Sequence, residues 1–175
     1  MNRSSADPRR LARALLLDRD GTVNVDRGWV HKPEDFSWVD GAREAIRWAN
    51  DRDILVLVIT NQAGIARGYY TETEFLAFTA WIEGELAACG AHIDATYYCP
   101  HHPTEGVGDY RRVCHCRKPA PGLIERARSD WGFDPDRSVM IGDAENDMKA
   151  AAVAGIRAVR FSGGSLLDCV KQAFV

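Results

Sequence analysis

The stretch from Leu15 to Asn24, LLLDRDGTVN, places two carboxylates directly after an apolar run. The leucines are typical of a buried strand. In extended backbone, residues two positions apart point the same way, so Asp18 and Asp20 share one face and repel each other. A hard cation would relieve that repulsion, and Mg²⁺ binds few carboxylates while it keeps several waters. Gly21 allows a sharp exit from the strand. We therefore expect a metal-dependent site at this strand end.

Apolar runs alternate with segments of helical period along the rest of the chain. Ile54–Thr60 is rich in β-branched residues and predicts a strand. Thr71–Gly90 predicts a long helix, with Thr71 as N-cap, Glu74 in a capping box and Gly90 as stop. The alternation predicts an α/β fold with a doubly wound, mostly parallel sheet. Further strands are predicted at 14–17, 93–98, 138–141 and 157–161, and further helices at 41–50, 121–132, 146–154 and 165–174.

Length and charge bound the kind of protein. A chain of 175 residues suits one domain, which we expect over residues 14–175, after a flexible tail at 1–13. That basic start has no apolar core, so it is not a secretory signal; a short organelle transit peptide is the alternative. A net charge of −3 argues against a nucleic-acid partner, and no run approaches a membrane span. These features predict a cytoplasmic protein.

Polar residues follow several of the predicted strands. Asp18, Thr60, Cys99 and Asp143 lie at or just after a strand end. In doubly wound sheets, ligands bind at the carboxyl ends of the strands. Asp143 is therefore a further candidate ligand for Mg²⁺, and phosphate would complete the metal's coordination. The convergence of these residues predicts one site.

These residue types suit phosphoryl transfer. Asp18 would attack phosphorus and form an aspartyl-phosphate. Asp20 would protonate the leaving alkoxide and then deprotonate the attacking water. Thr60 and Lys118 would donate to the phosphoryl oxygens, and Asp147 would orient Lys118 or a metal-bound water. Taken singly, each motif also fits a structural reading as a turn cap, a polar turn, a solvated lysine or a helix N-terminal charge. Their order along the chain favours catalysis.

Four motifs carry a family resemblance: LLLDRDGT, VITNQ, CRKPAPG and IGDAEND. They resemble the signature motifs of the haloacid dehalogenase superfamily in its phosphatase branch, and the match covers nearly the whole chain. The resemblance implies a capless, Rossmann-like core with Asp18 as nucleophile and Asp20 as acid and base. It implies phosphate binding by Thr60 and Lys118. It also implies Mg²⁺ binding by the Asp18 side chain, the Asp20 backbone carbonyl and Asp143.

A second cluster of ligands lies in the segment CPHHP…VCHCRKP. Five cysteines without a signal peptide argue against a disulfide framework. Cys99, Cys114 and Cys116 with His101 or His102 would form a closed Cys₃His zinc site in a loop at about 99–116. Equal gaps in the two pairs, and the related family, favour His101. Reduced surface thiols and a strained Cys114–Cys116 disulfide are the alternatives. Structural zinc would fix Arg117 and Lys118 over the phosphate.

Substrate choice falls to the loops, because the interval between Asp18 and Thr60 is too short for a cap domain. Arg27, Arg67 and Arg117 bring positive charge that suits a second anionic group, as in a bisphosphate. Longer stretches resemble the branch of the superfamily that hydrolyses heptose bisphosphates at the 7-phosphate. Trp29 stands where that branch is expected to have tyrosine, and Ala144 where it often has lysine. The contacts implied by that resemblance are Asp26, Arg27, Gly28, Trp29, Thr60, Asn61, Gln62, Ala63, Arg117 and Lys118, to which we add Arg67.

Other activities remain open at this point. A histidinol-phosphate phosphatase would share the fold, the motifs and the zinc loop, and a polynucleotide 3′-phosphatase would also use an open site. A non-catalytic zinc-stabilised binding module is a third alternative, against which the intact set of motif residues argues. We expect a monomer that acts on a small phosphorylated sugar.

Overall fold

A computed structural model describes residues 11–175, which form a parallel sheet flanked by helices. Residues 1–10, most of the predicted tail, lie outside the described residues. Among those described, the sheet has five strands in the order β3-β2-β1-β4-β5. All its strand pairs are parallel, which confirms the doubly wound α/β prediction. The elements are β1 Arg13–Leu17, α1 Ala42–Asn50, β2 Ile54–Asn61, α2 Ala63–Ala66, α3 Glu72–Ala88, β3 Ala95–Cys99, α4 Gly122–Trp131, β4 Val139–Gly142, α5 Glu145–Val153, β5 Arg157–Arg160 and α6 Leu166–Ala173, with 3₁₀ turns at Pro33–Asp35, Gly108–Tyr110 and Pro135–Arg137.

The central strand β1 is buried on both faces because helices cover each side of the sheet. Leu15 and Leu17 face one core, to which α1, α3 and α6 contribute. Leu16 faces the opposite core, built with α4 and α5. This alternation explains why the run of leucines is continuous rather than interrupted by polar residues.

The predicted helix over 71–90 forms as α3, with its ends one or two residues inside the prediction. Glu74 N donates to Thr71 Oγ1 at 3.1 Å, and Thr71 N donates to the Glu74 carboxylate at 2.7 Å, which is the expected capping box. The chain leaves the helix through Gly90 at φ 75°. Within residues 11–175, no helix is both long enough and apolar enough to cross a bilayer.

Two features differ from the sequence expectation. The sequence gives no periodic signal for α2, because a single helical turn is too short to show one. At the start of the described residues, Ala12 bridges to Phe133 and β1 begins at Arg13, one residue before the strand predicted at 14–17.

Strand register brings the chemically important strand ends together. Leu17 of β1 lies opposite Val58 of β2 and Ile141 of β4. Asp18 follows Leu17 directly, Thr60 ends β2 with Asn61, and Asp143 follows β4. All of these residues therefore reach the same edge of the sheet, as the sequence predicted.

Candidate active site

A cavity of about 200 Å³ opens at this edge of the sheet. It brings together Asp18, Asp20, Thr60, Lys118 and Asp143, which the sequence had marked separately. The other lining residues are Asp26, Asn61, Ala144, Asn146 and Asp147. A cavity of this volume is large enough for a phosphoryl group.

The Lys118 ammonium is buried in the wall of this cavity. Its Nζ is 2.6 Å from Asp18 Oδ1 and 2.6 Å from Asp147 Oδ1, and it donates to the Ile59 carbonyl at 2.7 Å. Asn61 holds the lysine backbone through two reciprocal bonds of 3.0 Å, from Asn61 Nδ2 to Lys118 O and from Lys118 N to Asn61 Oδ1. The ammonium is therefore fixed beside Asp18, and Asp147 orients it.

Burial dominates the electrostatics of this cluster. It raises the pKa of Asp18 to about 7, although the Lys118 charge acts in the opposite direction. Burial alone would lower the pKa of Lys118, but Asp18 and Asp147 outweigh it and the pKa is raised. Burial, and then Asp147, raise the pKa of Asp143 as well. One ammonium thus faces several carboxylates, an imbalance that an added cation would reduce.

The donor set at this point fits a hard divalent ion. Asp18, Asp143 and Asp147 each offer a carboxylate oxygen, and these oxygens lie within 4.8 Å of one another. Gly21, at φ 84°, lets Asp143 approach the turn after β1: a Cβ at this position would lie 2.2 Å from Asp143 Oδ2. Gly21 therefore has two roles. It allows the sharp exit from β1, as expected, and it leaves room for the carboxylate of Asp143, a candidate metal ligand.

Asp20 is surrounded by hydrogen-bond donors. Arg19 Nη2 donates to both carboxylate oxygens at 2.8 Å, and Asn24 Nδ2 donates to Oδ1 at 3.1 Å. The Arg19 guanidinium is buried between the loop at Val30, whose carbonyl it also bonds at 2.6 Å, and the aromatic side of α3. Sequence reasoning missed Arg19, because nothing in the motif distinguishes it from a variable residue between two aspartates.

Gln62 lies behind the cavity wall instead of in it. Its side chain is buried and donates to Asp20 Oδ2 at 3.0 Å and to Thr60 Oγ1 at 2.9 Å. Its carbonyl oxygen accepts from the Tyr70 hydroxyl at 2.6 Å. Ala63, the next expected contact, is also buried. The sequence did not predict a role for Tyr70. Its hydrogen bond to Gln62 forms because the short helix α2, which lies between the two residues, brings them together.

Three loops meet around Arg67, which is not one of the residues that line the cavity. The Arg67 guanidinium lies over the Trp29 ring at 5.1 Å and forms an ion pair with Glu105 of the loop around Cys99–Cys116. The Trp29 ring contacts Tyr69 edge-on, with centroids 5.2 Å apart. Trp29 adopts φ 56°, an unusual conformation for a bulky residue. Trp29 and Arg67 therefore lie together, and neither of these expected contacts is among the residues that line the cavity.

The other substrate contacts expected in the loop after β1 differ in where they lie relative to the cavity. Asp26 lines the cavity, and its Oδ1 accepts from Gly28 N at 2.8 Å, which forms a tight turn. Arg27 is exposed and donates to Ser37 Oγ at 3.3 Å. The structure therefore places Asp26 in the cavity, but leaves Arg27 and Gly28 outside the cavity lining.

The cysteine and histidine cluster forms a compact centre at the end of β3. The Sγ atoms of Cys99, Cys114 and Cys116 lie 3.2–3.5 Å apart, and His101 Nδ1 lies 3.3 Å from Cys116 Sγ. A tetrahedral zinc ion with bonds of ~2.3 Å needs sulfur separations of ~3.8 Å, so these positions require only a small expansion. None of the described cysteines forms a disulfide.

Two neighbours of this centre bear on the sequence predictions. His102 Nδ1 accepts from the Glu105 amide at 3.0 Å, in a local turn outside the cluster. His101 is therefore the histidine grouped with the three thiols. Arg117 donates to the His101 carbonyl at 3.1 Å, which ties the residue before Lys118 to this loop.

Comparison with known proteins agrees with this geometry. A family model described as HAD-hydrolase-like matches residues 115–167. A curated relative from Pasteurella multocida, named D-glycero-beta-D-manno-heptose-1,7-bisphosphate 7-phosphatase, is 45% identical over 147 residues, which cover 84% of this chain and 79% of the relative. One of the same name from Yersinia pestis is 44% identical over 82% of this chain and 76% of its own length.

A solved structure shares the fold closely. It is the D,D-heptose 1,7-bisphosphate phosphatase from B. bronchiseptica, complexed with magnesium and phosphate. It superimposes with a TM-score of 0.78 at 28% identity, over 92% of this chain and 97% of that one. The likeness therefore covers nearly the whole of both chains.

Proposed function

The chain belongs to the haloacid dehalogenase superfamily and is a phosphomonoester hydrolase, and we propose that it removes the 7-phosphate of D-glycero-D-manno-heptose 1,7-bisphosphate through an aspartyl-phosphate on Asp18. The observation that carries the proposal is the buried pair of Asp18 and Lys118, 2.6 Å apart in the wall of the cavity. The curated relatives carry this substrate in their names. The product would be the 1-phosphate of the sugar.

The residues of this cavity divide the chemistry among them. A carboxylate oxygen of Asp18 attacks phosphorus, the ester P–O bond breaks, and its electron pair leaves on the sugar oxygen. Asp20 gives that oxygen a proton. Asp20 then takes a proton from the water that attacks the phosphoryl group, and inorganic phosphate leaves as the Asp18 carboxylate is restored. Thr60 would donate its hydroxyl proton to the phosphoryl oxygens, and the Lys118 ammonium, whose three protons go to Asp18, Asp147 and the Ile59 carbonyl, would offset their negative charge.

The acidic cluster fits Mg²⁺, since its oxygens converge and one ammonium does not balance them. Asp18 and Asp143 would hold the ion with their side chains, and Asp20 with its backbone carbonyl. Bound Mg²⁺ would offset the negative charge of the phosphoryl group and of the cluster. Asp147 keeps its carboxylate on Lys118, so its share in the site is to hold that ammonium in place.

Cys99, His101, Cys114 and Cys116 fit a structural zinc ion, because their donor atoms already lie within 4.8 Å of one another. Such a crosslink would replace the core that this polar loop lacks. It would also fix Arg117, through the His101 carbonyl, and Lys118 two residues beyond Cys116.

Substrate choice would rest with the loops. Arg67 and Arg117 would supply positive charge for a second phosphate, and Trp29, which lies under the Arg67 guanidinium, would supply a surface for the sugar. Arg117 is the residue directly before Lys118. Asp26 and Asn61 line the cavity itself. We propose a small phosphorylated sugar, not a nucleic acid, as the partner of a monomeric enzyme.

Two measurements test the proposal. Borohydride reduction during turnover converts an aspartyl-phosphate to homoserine, and mass spectrometry should locate homoserine at position 18. A panel of kcat/KM values for heptose bisphosphate anomers, fructose bisphosphate, histidinol phosphate and a 3′-phosphorylated oligonucleotide should favour a heptose bisphosphate. Modification at another residue would overturn the mechanism, and comparable values across the panel would overturn the substrate.

A further inference from the structure

Hydrogen bonds behind the cavity connect Tyr70 to Asp20 through Gln62. The Tyr70 hydroxyl donates to Gln62 Oε1 at 2.6 Å, and Gln62 Nε2 donates to Asp20 Oδ2 at 3.0 Å. We propose that Tyr70, acting through Gln62, is a positioning residue for Asp20 in the proton transfer to the leaving group. The inference rests on the proposed function, because it takes Asp20 to be the acid.

The chemistry of the three side chains fixes the direction of each bond. In the structure both Asp20 oxygens accept hydrogen bonds, and the amide nitrogen of Gln62 faces the Oδ2 atom. The amide oxygen then faces Tyr70, which has to donate. Burial raises the pKa of Tyr70 to about 12, so the hydroxyl keeps its proton near neutral pH. A flipped amide would set two acceptors against each other at Asp20 and leave a buried donor unpaired.

Packing holds the Tyr70 ring where this bond requires it. A Cβ on Gly64 would lie 2.2 Å from Tyr70 Cε1, so the ring lies directly against the backbone of α2. The His31 ring stacks on Tyr70 with centroids 4.5 Å apart. With the ring enclosed in this way, the hydroxyl has a fixed position and the amide of Gln62 follows it.

Gln62 also joins the acid to the phosphate-binding residue. Its second amide proton goes to Thr60 Oγ1 at 2.9 Å. Arg19 and Asn24 approach Asp20 from its own loop, whereas Gln62 approaches from the end of β2. The Gln62 contact therefore sets the orientation of the Asp20 carboxyl relative to the phosphoryl group, which is the relationship that proton transfer depends on.

The test uses leaving groups that differ in their need for a proton. A sugar alkoxide needs one to leave, whereas p-nitrophenolate is stable without one near neutral pH. Tyr70→Phe should lower kcat/KM by about tenfold for the sugar bisphosphate, the loss expected for one buried hydrogen bond, and by less than about threefold for p-nitrophenyl phosphate. Tyr97→Phe is the matched control, because it removes a hydroxyl bonded to Asp130 at 2.8 Å, away from the cavity lining. It should leave the ratio between the two substrates unchanged.

Two results would overturn the inference. The first is a Tyr70→Phe variant with a lower melting temperature whose kcat/KM falls equally for both substrates or does not fall at all. Tyr70 would then support only the fold. The other comes from Gln62→Met, which removes the relay but keeps the length: Tyr70→Phe should cost nothing further in that background, and an additive loss contradicts the relay. Asp20→Asn is the reference and should discriminate most strongly between the substrates. If Asp20→Asn does not discriminate, the proposed function itself is at fault and the role of Tyr70 falls with it.

Discussion

Asp147 holds the Lys118 ammonium at 2.6 Å from its Oδ1, while both side chains are almost fully buried. The other oxygen of Asp147 accepts from the Ala144 amide at 3.0 Å, at the start of α5. The carboxylate therefore links Lys118 to the start of α5, the helix that follows Asp143. This link makes Asp147 as important for the position of the lysine as Asp18 is.

Replacing Asp147 by Asn should impair both activity and stability. The buried ammonium would lose one of its two carboxylates, and breaking a buried pair from one side typically costs about 3–5 kcal/mol, less here because Asp18 remains. Phosphate release should fall by at least about tenfold and the Tm should fall clearly. Asp51→Asn is the control, because Asp51 at the C-terminal end of α1 forms an exposed i,i+4 ion pair with Arg47. Unchanged activity in Asp147→Asn would contradict its role in orienting the lysine.

Adding one methyl group at Gly21 should disable the acidic cluster. The new Cβ would meet Asp143 Oδ2 at 2.2 Å, and φ 84° adds backbone strain of about 1 kcal/mol or more. We expect Gly21→Ala to weaken Mg²⁺ activation and to lower kcat/KM by at least about a hundredfold. Gly155→Ala has a similar φ of 71° with nothing within 4 Å, so it isolates the cost of the backbone conformation. Equal losses in both variants would show that strain, and not the contact with Asp143, is responsible.

Glu72 should make a stability contribution that disappears in acid. Tyr98 and Tyr110 donate to its carboxylate at 2.5 and 2.7 Å, and these bonds, that of Tyr98 first, lower the pKa of Glu72 from its usual 4.5. A lowered folded-state pKa stabilises the fold above pH 4.5 and loses that effect as the pH falls through the folded-state pKa.

Glu72→Gln should therefore lower the Tm at neutral pH by about 2–4 °C. The difference in Tm from the wild type should shrink as the pH falls below 4.5 and through the folded-state pKa of Glu72. Thermal unfolding measured across acid and neutral pH checks this. The exposed Glu85 on the same helix gives a control, Glu85→Gln. A gap between wild type and Glu72→Gln that stays constant with pH would show that the carboxylate charge is not involved.

Removing zinc should lower both Tm and turnover, although the ion would not touch the substrate. The cysteine loop carries Arg117 and leads into Lys118, so loosening it would loosen the phosphate contacts. A zinc-selective chelator with Mg²⁺ in excess, or Cys114→Ser, should give the effect, whereas Cys169→Ser should not. A zinc-free enzyme with wild-type turnover and Tm would contradict the structural role of the metal.

Arg117 should discriminate between one phosphate and two. If it recognises the second anionic group, Arg117→Ala should raise KM for the heptose 1,7-bisphosphate by about tenfold, the value of one charge-assisted contact. KM for the heptose 7-phosphate should change little. Arg111→Ala, on the exposed side of the same loop, is the control. An equal change for the two substrates would assign Arg117 to the phosphate that is cleaved.

The sequence was most informative where a strand or helix pattern is followed directly by a polar residue with a recognisable role. The leucine run and Asp18, the strand of β2 and Thr60, and the capping box at Thr71 could all be predicted, because each depends on near neighbours in the chain. Register then brings the strand ends together without further information.

The parts that could not be predicted depend on side-chain directions and on loops. Gln62 looked like a substrate contact, but its amide points to Asp20 because Tyr70 folds over α2. Arg67 meets Trp29 through two irregular loops whose paths carry no periodic signal. Such contacts join residues that are distant in sequence, and no local pattern specifies them.

The pairing of Asn61 with Cys99 at the border of β2 and β3 has a consequence for how this enzyme fails. Asn61 bonds the backbone of Lys118, and Cys99 lies in the thiol cluster, so β3 and Lys118 are held together at one point. Separation of β3 from β2 there would move Lys118 away from Asp18. We therefore expect a local loss of structure at this point to abolish the hydrolase activity. We do not expect it to leave an active enzyme with a broader choice of phosphate esters.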